Sequence, residues 1–290
     1  MAQAEIVAKA LAEAGMETEF RKYRTAGDRD RTSPLASFGG TGAFVKSIEE
    51  ALLTGKGDGA VHSLKDLPSE IPEGLVLSAV TKRGPVEDVL ITRGGEKLDK
   101  LAEGAVLGTS SPRRKAQILR ARPDIRIREI RGNITTRLRK LCGDGYDGIV
   151  IAKAGINRLG IEPDHQATLP FLPAPCQGII ALETRKGSGM AVSVGEINHL
   201  DTWLCAIAER TLLRKLGVGC HVPFAALATL ESGEMRISAE ILKGDGSDHS
   251  AFSVAAAAET DAEAADLGGK LAAMFLADRK ATRLIKEAAL

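Results

Sequence analysis

The clearest signal for the fold lies in the sequence Gly108-Thr109-Ser110-Ser111-Pro112-Arg113-Arg114. It predicts a buried strand that turns directly into a helix, because Ser111 suits the N-cap and Pro112 suits the first helical position. The two arginines that follow have the wrong charge for the positive end of a helix dipole. We therefore expect an anion at this turn, where the N–H groups of the helix can also bind it.

A similar pattern returns at Arg131-Gly132-Asn133-Ile134-Thr135-Thr136-Arg137, with Asn133 as the expected cap. Two such turns in consecutive units should converge at the carboxyl edge of one sheet, where open α/β folds bind ligands. Residues 108–140 carry eleven basic and two acidic side chains, or +9, which leaves −8 for the rest of a chain with a net charge of +1. Because arginine matches carboxylates bidentately, an anion pocket is favoured over the alternative of a solvated basic face.

Outward from these turns, short apolar runs alternate with helical segments, which predicts an α/β fold with largely buried strands. We expect strands near 16–23, 60–63, 75–80, 89–92, 106–109, 125–130, 148–152 and 178–182, and helices near 2–14, 43–54, 112–121, 134–142 and 153–158. A longer helix over 200–216 should end at Gly217. Three grouped strands at 222–230, 235–242 and 249–257, with a final helix from 261, indicate a separate small α+β domain.

Composition narrows the class of protein. The chain has 290 residues, of which 44% are apolar and 27% charged, so it can form a core. The sequence has neither an apolar run long enough for a membrane span nor the pattern of a signal peptide. Four widely spaced cysteines argue against a disulfide scaffold or zinc site and for a reducing, cytoplasmic setting. An aromatic content of 3% argues against stacking on single-stranded nucleic acid.

Two further motifs carry reactive side chains. In His62-Ser63-Leu64-Lys65-Asp66-Leu67-Pro68, Asp66 falls at the end of a strand, where a catalytic carboxylate would face a cleft. An ordinary exposed Lys65–Asp66 pair and a packed core His62 are equally weighted alternatives. Cys220, between Gly219 and His221, is a reachable thiol, and a Cys–His dyad is disfavoured because adjacent side chains point apart. We expect Cys142 and Cys205 to be buried and inert.

Five segments together resemble one known family. They are H-S-L-K-D-L-P at 62–68, G-T-S-S-P-R-R at 108–114, R-G-N-I-T-T-R-L at 131–138, A-G-I-N-R-L-G at 154–160 and P-A-P-C-Q-G at 173–178. In this order and spacing they are similar to the signature segments of porphobilinogen deaminase, also called hydroxymethylbilane synthase. G-V-G-C-H-V-P at 217–223 resembles that family's cofactor-attachment loop.

The resemblance implies a fold and an activity. The expected fold is α/β, with two type II periplasmic-binding-protein-like domains (1–82 with 178–196, and 86–175) and a small C-terminal α+β domain (199–290). The expected enzyme is a transferase that condenses four porphobilinogen molecules head to tail with loss of ammonia, then releases hydroxymethylbilane by hydrolysis. It is expected to be a cytoplasmic monomer that needs neither a metal nor a nucleic-acid or membrane partner.

The resemblance also assigns residues. Cys220 matches the cysteine that carries a dipyrromethane cofactor through a thioether, and Asp66 matches the catalytic aspartate, which also contacts the cofactor. The other positions expected to bind the cofactor are Ser63, Lys65, Thr109, Ser111, Arg113 and Arg114. Those expected to bind the substrate are Phe44, Ser110, Arg131, Arg137, Arg158 and Gln177.

The chemistry agrees with these implied roles. Each porphobilinogen unit carries two carboxylates, so a growing chain needs an arginine-rich pocket. Departure of ammonia leaves a cation, which a carboxylate such as Asp66 stabilises if it lies opposite the arginines. An anchor on Cys220 makes each addition effectively intramolecular.

Three positions depart from the family's pattern. The family begins with a strand of the type I-G-T-R-x-S-x-L-A, whereas here Met1 directly precedes Ala2-Gln3, so we expect that strand and its arginine to be missing. A wrongly assigned or shortened start is favoured over a divergent protein, for which we expect weak activity and an aggregation-prone sheet edge. Thr41 replaces a lysine in the family's mobile loop, and Cys176 replaces a glycine, which is tolerable if its φ is negative.

Two other functions fit part of the sequence. A two-lobed protein that binds carboxylates or phosphates without catalysis explains the arginines but neither Cys220 nor Asp66. A nucleic-acid-binding protein explains the basic stretch, but the chain has almost no aromatic residues and no DNA-binding motif.

Overall fold

A computed structural model describes residues 1–22, 42–143 and 145–289 of the chain. The helices are α1 (Ala2–Glu13), α2 (Gly42–Leu53), α3 (Pro112–Ala121), α4 (Ile134–Gly143), α5 (Lys153–Arg158), α6 (Gly189–Ser193), α7 (Leu200–Leu216), α8 (Asp261–Ala277) and α9 (Arg279–Ala289). The strands are β1 (Gly59–Ser63), β2 (Leu75–Val80), β3 (Asp88–Thr92), β4 (Val106–Gly108), β5 (Arg126–Arg128), β6 (Gly148–Ala152), β7 (Ala167–Thr168), β8 (Ile180–Arg185), β9 (Phe224–Glu231), β10 (Glu234–Leu242) and β11 (His249–Ala257).

The described strands form three sheets. In the first, β8 lies between β1 and β2 and runs antiparallel to both. Its core packs Val7 and Leu11 of α1 against Ile180 and Leu182. The chain therefore builds this sheet from two distant segments, because β8 follows β7 of the second sheet.

The second sheet has the order β5-β4-β6-β3-β7. β4 pairs in parallel with both β5 and β6, while β3 is antiparallel to β6 and β7. Every residue of β3 and β6 is buried, as in strands covered on both faces. Gly148 fits here because a Cβ would lie 2.8 Å from Leu107 Cδ2.

The third sheet is an antiparallel meander, β11-β10-β9, covered by α7, α8 and α9. Phe275 of α8 is fully buried and makes edge-to-face contacts with Phe224 and Phe252. α7 ends at Gly217, whose φ of +64° is the left-handed conformation that closes helices. The expected combination of α/β units and a C-terminal α+β unit is confirmed.

Two expectations of secondary structure are wrong. Residues 16–22 form no strand, although Met16 packs beside the first core. The final helix is two helices, because Asp278 adopts extended backbone between them and caps α9 by accepting from Ala281 N at 2.6 Å. Among the described residues, no helix is long and apolar enough to cross a membrane.

Candidate active site

Asp66 lies on a short 3-10 turn, Leu64–Asp66, that follows β1 directly. Leu64 is fully buried and anchors the turn, while the Asp66 side chain is exposed. His62, by contrast, is buried and bonds Glu183 Oε2 at 3.1 Å. His62 is thus the packed histidine of the alternative interpretation, and Asp66 is the accessible carboxylate.

Cys220 lies beside this turn although it comes from the loop after α7. Its exposed thiol approaches the carbonyl oxygen of Lys65, with an Sγ–O distance of 3.6 Å. The structure therefore brings together the two motifs that the sequence singled out for reactive side chains. Of the other thiols, Cys205 is buried and its pKa is raised to about 12 by that burial, but Cys142 is exposed, contrary to expectation.

The Lys65 ammonium points inward from the same turn. Lys65 Nζ donates to Gln177 Oε1 at 3.3 Å, and Gln177 is fully buried just before β8. Burial lowers the pKa of Lys65, while the negative charge of Asp66 acts in the opposite direction. Gln177 thus joins the Lys65 turn of the first sheet to the edge of the second.

The first arginine turn has the local structure expected. Ser111 caps α3 by accepting from Arg114 N at 3.4 Å, and Pro112 occupies the first turn. Both arginines are buried, and each donates to one oxygen of Asp88, at 2.7 Å from Arg113 and 2.6 Å from Arg114. Burial would raise the pKa of Asp88, but Arg114 and Arg113 hold it well below its usual range. The anion expected here is therefore supplied, at least in part, by the protein itself.

The second arginine turn follows β5, which is parallel to β4, so both turns do lie at the same sheet edge. Asn133 caps α4 by accepting from Thr136 N at 2.9 Å. Arg137 Nε donates to Gly132 O at 2.7 Å. Burial lowers the pKa of Arg137, and the nearby positive charge of Arg114 lowers it further. The guanidinium of Arg137 is thus partly buried and lies near another positive charge.

Two more expected substrate-binding arginines lie near this edge. Arg158 Nη2 donates to Gly178 O at 2.6 Å; burial lowers the pKa of Arg158 and the charge of Asp66 opposes that shift. Arg131 Nε bonds Glu129 Oε1 at 2.8 Å at the half-exposed surface. Among the described residues, neither Arg137 nor Arg158 forms an ion pair, so both remain available to an external carboxylate.

The expected hydroxyl groups have hydrogen-bond partners within the protein. Ser110 Oγ donates to Ile130 O at 2.6 Å and ties the two arginine turns together. Thr109 Oγ1 accepts from Ser111 N at 3.2 Å, and Ser63 Oγ accepts from Gln3 Nε2. Phe44 falls within α2, but its side chain, like all of Thr41, lies outside the described residues.

Cys176 contradicts the condition set for it. Its φ is +61°, the left-handed region in which a residue other than glycine is strained by about 1–2 kcal/mol. The fully buried thiol has its pKa raised by that burial, and the backbone N–H donates to Glu209. The glycine of the family's pattern is therefore the better residue for this position.

Sequence reasoning missed the charged residues that hold these elements together. In the sequence, Asp88 is one of two adjacent acids, with Glu87, at the start of an apolar strand, and that position does not indicate its partners. Arg83 Nη1 binds Glu209 Oε1 at 2.7 Å and joins the segment after β2 to α7. Among the described residues, no group of three or more His, Cys, Asp or Glu side chains could hold a metal ion.

Comparisons with known proteins agree with the resemblance found in the sequence. The family model described as "Porphobilinogen deaminase, dipyromethane cofactor binding domain" matches residues 1–192, and "Porphobilinogen deaminase, C-terminal domain" matches 203–277. A probable porphobilinogen deaminase of Methanosarcina acetivorans is 46% identical over 85% of this chain and 79% of its own length. A probable porphobilinogen deaminase of Archaeoglobus fulgidus is 48% identical over 83% of this chain and 84% of its own length.

A bacterial relative and a solved structure extend the comparison. The porphobilinogen deaminase of Pelotomaculum thermopropionicum is 46% identical over 77% of this chain and 73% of its own. Among solved structures, an ancestral cationic amino acid solute binding protein is similar to 74% of this chain and 80% of its own, with 15% identity and a TM-score of 0.40.

Proposed function

The chain belongs to the porphobilinogen deaminase family, and we propose that the cleft between Cys220, Asp66 and the arginine turns is its active site. The chain is a transferase that joins four porphobilinogen molecules head to tail with loss of ammonia and releases hydroxymethylbilane by hydrolysis. The observation that carries the site assignment is the contact of Cys220 Sγ with the backbone of Lys65, immediately before Asp66. A binding protein without catalysis gives no reason for that juxtaposition.

The residues present fit a dipyrromethane held through Cys220. The thiol is exposed, as attachment requires, and Lys65 and the arginine turns supply cations for acetate and propionate groups. Arg113 Nε and Arg114 Nε are buried donors with no hydrogen-bond partner among the described residues, which suits a carboxylate bound beside them. When attached, the dipyrromethane supplies a fixed pyrrole to which the product chain is joined.

Asp66 has the properties needed at the reacting ring. Its exposed carboxylate can accept a hydrogen bond from a pyrrole N–H and stabilise positive charge as ammonia departs. The arginines would repel that charge, so their task is different: Arg137 and Arg158 bind the carboxylates of the incoming substrate. This division places acidic and basic groups on different parts of the same substrate.

The remaining assignments rest on the sequence. We propose that Arg131, Ser110, Gln177 and Phe44 also contact substrate, and that Ser63, Thr109 and Ser111 support the cofactor. The cytoplasmic location, the monomeric state, and the absence of metal, nucleic-acid and membrane partners remain predictions.

The test is the intact mass of the denatured protein after incubation with porphobilinogen, with peptide mapping. We expect an adduct of two pyrrole units on Cys220 of the wild type and none on Cys220→Ser. The matched control, Cys142→Ser, removes another exposed cysteine and should keep the adduct. A folded wild type that stays unmodified, or an adduct that persists in Cys220→Ser, would contradict the assignment.

A second measurement tests Asp66. Asp66→Asn should lower the rate of ammonia release on the order of a hundredfold or more, because the charge opposite the departing amine is lost. Glu70→Gln neutralises another exposed acid shortly after the same turn and should keep at least half the rate. Equal rates in the two variants would exclude Asp66 as the catalytic carboxylate.

A further inference from the structure

Asp88, at the start of β3, is a buried carboxylate with three side-chain donors. Its Oδ2 accepts from Arg113 Nη2 at 2.7 Å, and its Oδ1 accepts from Arg114 Nη2 at 2.6 Å and from Gln177 Nε2 at 2.9 Å. The side chain is about 1% exposed. One negative charge therefore meets two adjacent positive charges with almost no water to screen them.

The two guanidinium groups are fixed at their other ends as well. Arg113 Nη1 donates to Gln117 Oε1 at 2.8 Å and to Leu172 O at 3.0 Å. Arg114 Nη1 donates to Val150 O at 3.1 Å. With both ends held, each fork keeps one orientation, and its Nε–H is left without a partner among the described residues. Without Asp88, the like charges of neighbouring residues at a helix N-terminus would repel each other.

The third donor extends this arrangement to Lys65. Gln177 Nε2 donates to Val86 O at 2.7 Å as well as to Asp88, so both of its N–H groups face acceptors. The amide therefore presents Oε1 to Lys65 Nζ, at 3.3 Å. Lys65 is the residue whose carbonyl oxygen meets the thiol of Cys220.

We propose that Asp88 is a positioning residue for the deaminase reaction: one buried carboxylate sets Arg113 and Arg114 directly, and Lys65 through Gln177, where the acidic groups of cofactor and substrate meet them. The inference rests on the proposed function of the cleft. Asp88 itself needs no contact with substrate, because it acts through the cations that it orients.

The test compares Asp88→Asn with Glu240→Gln. Glu240 is the matched control because it is another buried carboxylate that holds α3, accepting from Gln117 Nε2 at 2.7 Å and Arg120 Nη1 at 3.0 Å. We expect Asp88→Asn to raise KM for porphobilinogen tenfold or more while kcat falls less than threefold. Glu240→Gln should leave KM within twofold of wild type while lowering the melting temperature. A KM within twofold in Asp88→Asn, or equal rises in both variants, would overturn the inference.

A second readout needs no turnover. The negative charge of Asp88 raises the pKa of Lys65, so Asp88→Asn should lower it further. At a fixed pH near 8, Lys65 of Asp88→Asn should react severalfold faster with an amine-acetylating reagent, followed by peptide mass spectrometry. The rate in Glu240→Gln should match wild type. An unchanged rate in Asp88→Asn would count against the inference.

The outcomes separate this inference from the proposed function. An inactive wild type would refute the function, while Lys65 acetylation would still decide whether Asp88 acts on Lys65. If Asp88→Asn fails to fold, Gln177→Leu removes the connection from Asp88 to Lys65 and leaves both arginine–Asp88 pairs in place. Because Gln177 is itself proposed to contact substrate, the deciding readout for this variant is Lys65 acetylation. It should be faster than in wild type, since the ammonium loses its acceptor, and an unchanged rate would overturn the connection from Asp88 to Lys65.

Discussion

The two arginine turns look alike in sequence and have opposite electrostatic surroundings in the folded chain. Each follows a strand of the same parallel pair, and each opens a helix with a side-chain cap, from Ser111 or from Asn133. In the first turn, Arg113 and Arg114 are buried against Asp88. In the second, the one partner of Arg137 among the residues that the structure describes is a backbone carbonyl, and Arg137 is close to the positive charge of Arg114.

The difference shows what decides the role of an arginine at such a turn. A guanidinium that pairs with a buried carboxylate contributes to stability and is held in one orientation. Its remaining N–H groups are therefore fixed in place for a ligand. A guanidinium that bonds only carbonyl oxygens has a positive charge that no side chain neutralises, so an external anion can bind it. In the proposed site, the first turn is thus held by the protein's own carboxylate, and the second is the part that we expect a substrate carboxylate to neutralise.

The largest expected effect is on stability, from Arg114→Met. Arg113 still balances the charge of Asp88, but the buried Oδ1 loses its charge-assisted hydrogen bond from Arg114, which should cost about 2 kcal/mol of unfolding free energy. Arg137→Met, in the second turn, should cost less than about 1 kcal/mol because no buried carboxylate is left behind. Urea denaturation measures both, and similar losses would remove the distinction between the turns.

A double variant sharpens this result. If the cost of Arg114→Met comes from its ion pair, combining it with Asp88→Asn should destabilise the protein by clearly less than the sum of the two single changes. Additive losses would show that Arg114 stabilises the fold by packing alone.

The next effect is the dependence of stability on pH. Folding depresses the pKa of Asp88, so its contribution is fully present above its unfolded pKa of about 3.9 and is lost as pH falls below that value. Wild-type stability should therefore drop more steeply than that of Asp88→Asn between about pH 5 and 3. Melting temperatures across this range measure the difference, and parallel curves would mean that the pKa of Asp88 is not depressed.

The two arginine turns could be predicted from the sequence, but only some of the residues that contact them could. The caps at Ser111 and Asn133, the strand-to-helix order and the exposure of Cys220 and Asp66 follow from local rules about residues a few positions apart. Asp88, Gln177 and Glu209 are partners from distant segments, and no local pattern predicts which charged side chain each will contact. The positive φ of Cys176 was also out of reach, because the surrounding structure and not the side chain imposes it.

A smaller effect, on substrate binding, is expected from Arg137→Gln. The change removes a guanidinium that we expect to bind a substrate carboxylate, so KM for porphobilinogen should rise about tenfold, equivalent to about 1.4 kcal/mol. The melting temperature should stay nearly unchanged, because among the described residues Arg137 has no buried carboxylate as its partner. Arg139→Gln, on the exposed face of the same helix, should leave KM within twofold. Steady-state kinetics at constant ionic strength decide the matter, and matching rises in KM would indicate a general effect of net charge.

The smallest effect concerns the caps, where the two turns should differ only in degree. Asn133 Oδ1 lies 2.9 Å from Thr136 N, whereas Ser111 Oγ lies 3.4 Å from Arg114 N. The cap of α4 by Asn133 is therefore the stronger hydrogen bond. Asn133→Ala should therefore cost α4 about 1 kcal/mol and Ser111→Ala should cost α3 about 0.5 kcal/mol. Hydrogen exchange of the first-turn amides measures each helix separately. α3 is also held by Asp88 through its arginines, so a larger loss in α3 than in α4 would mean that the buried ion pair depends on the cap.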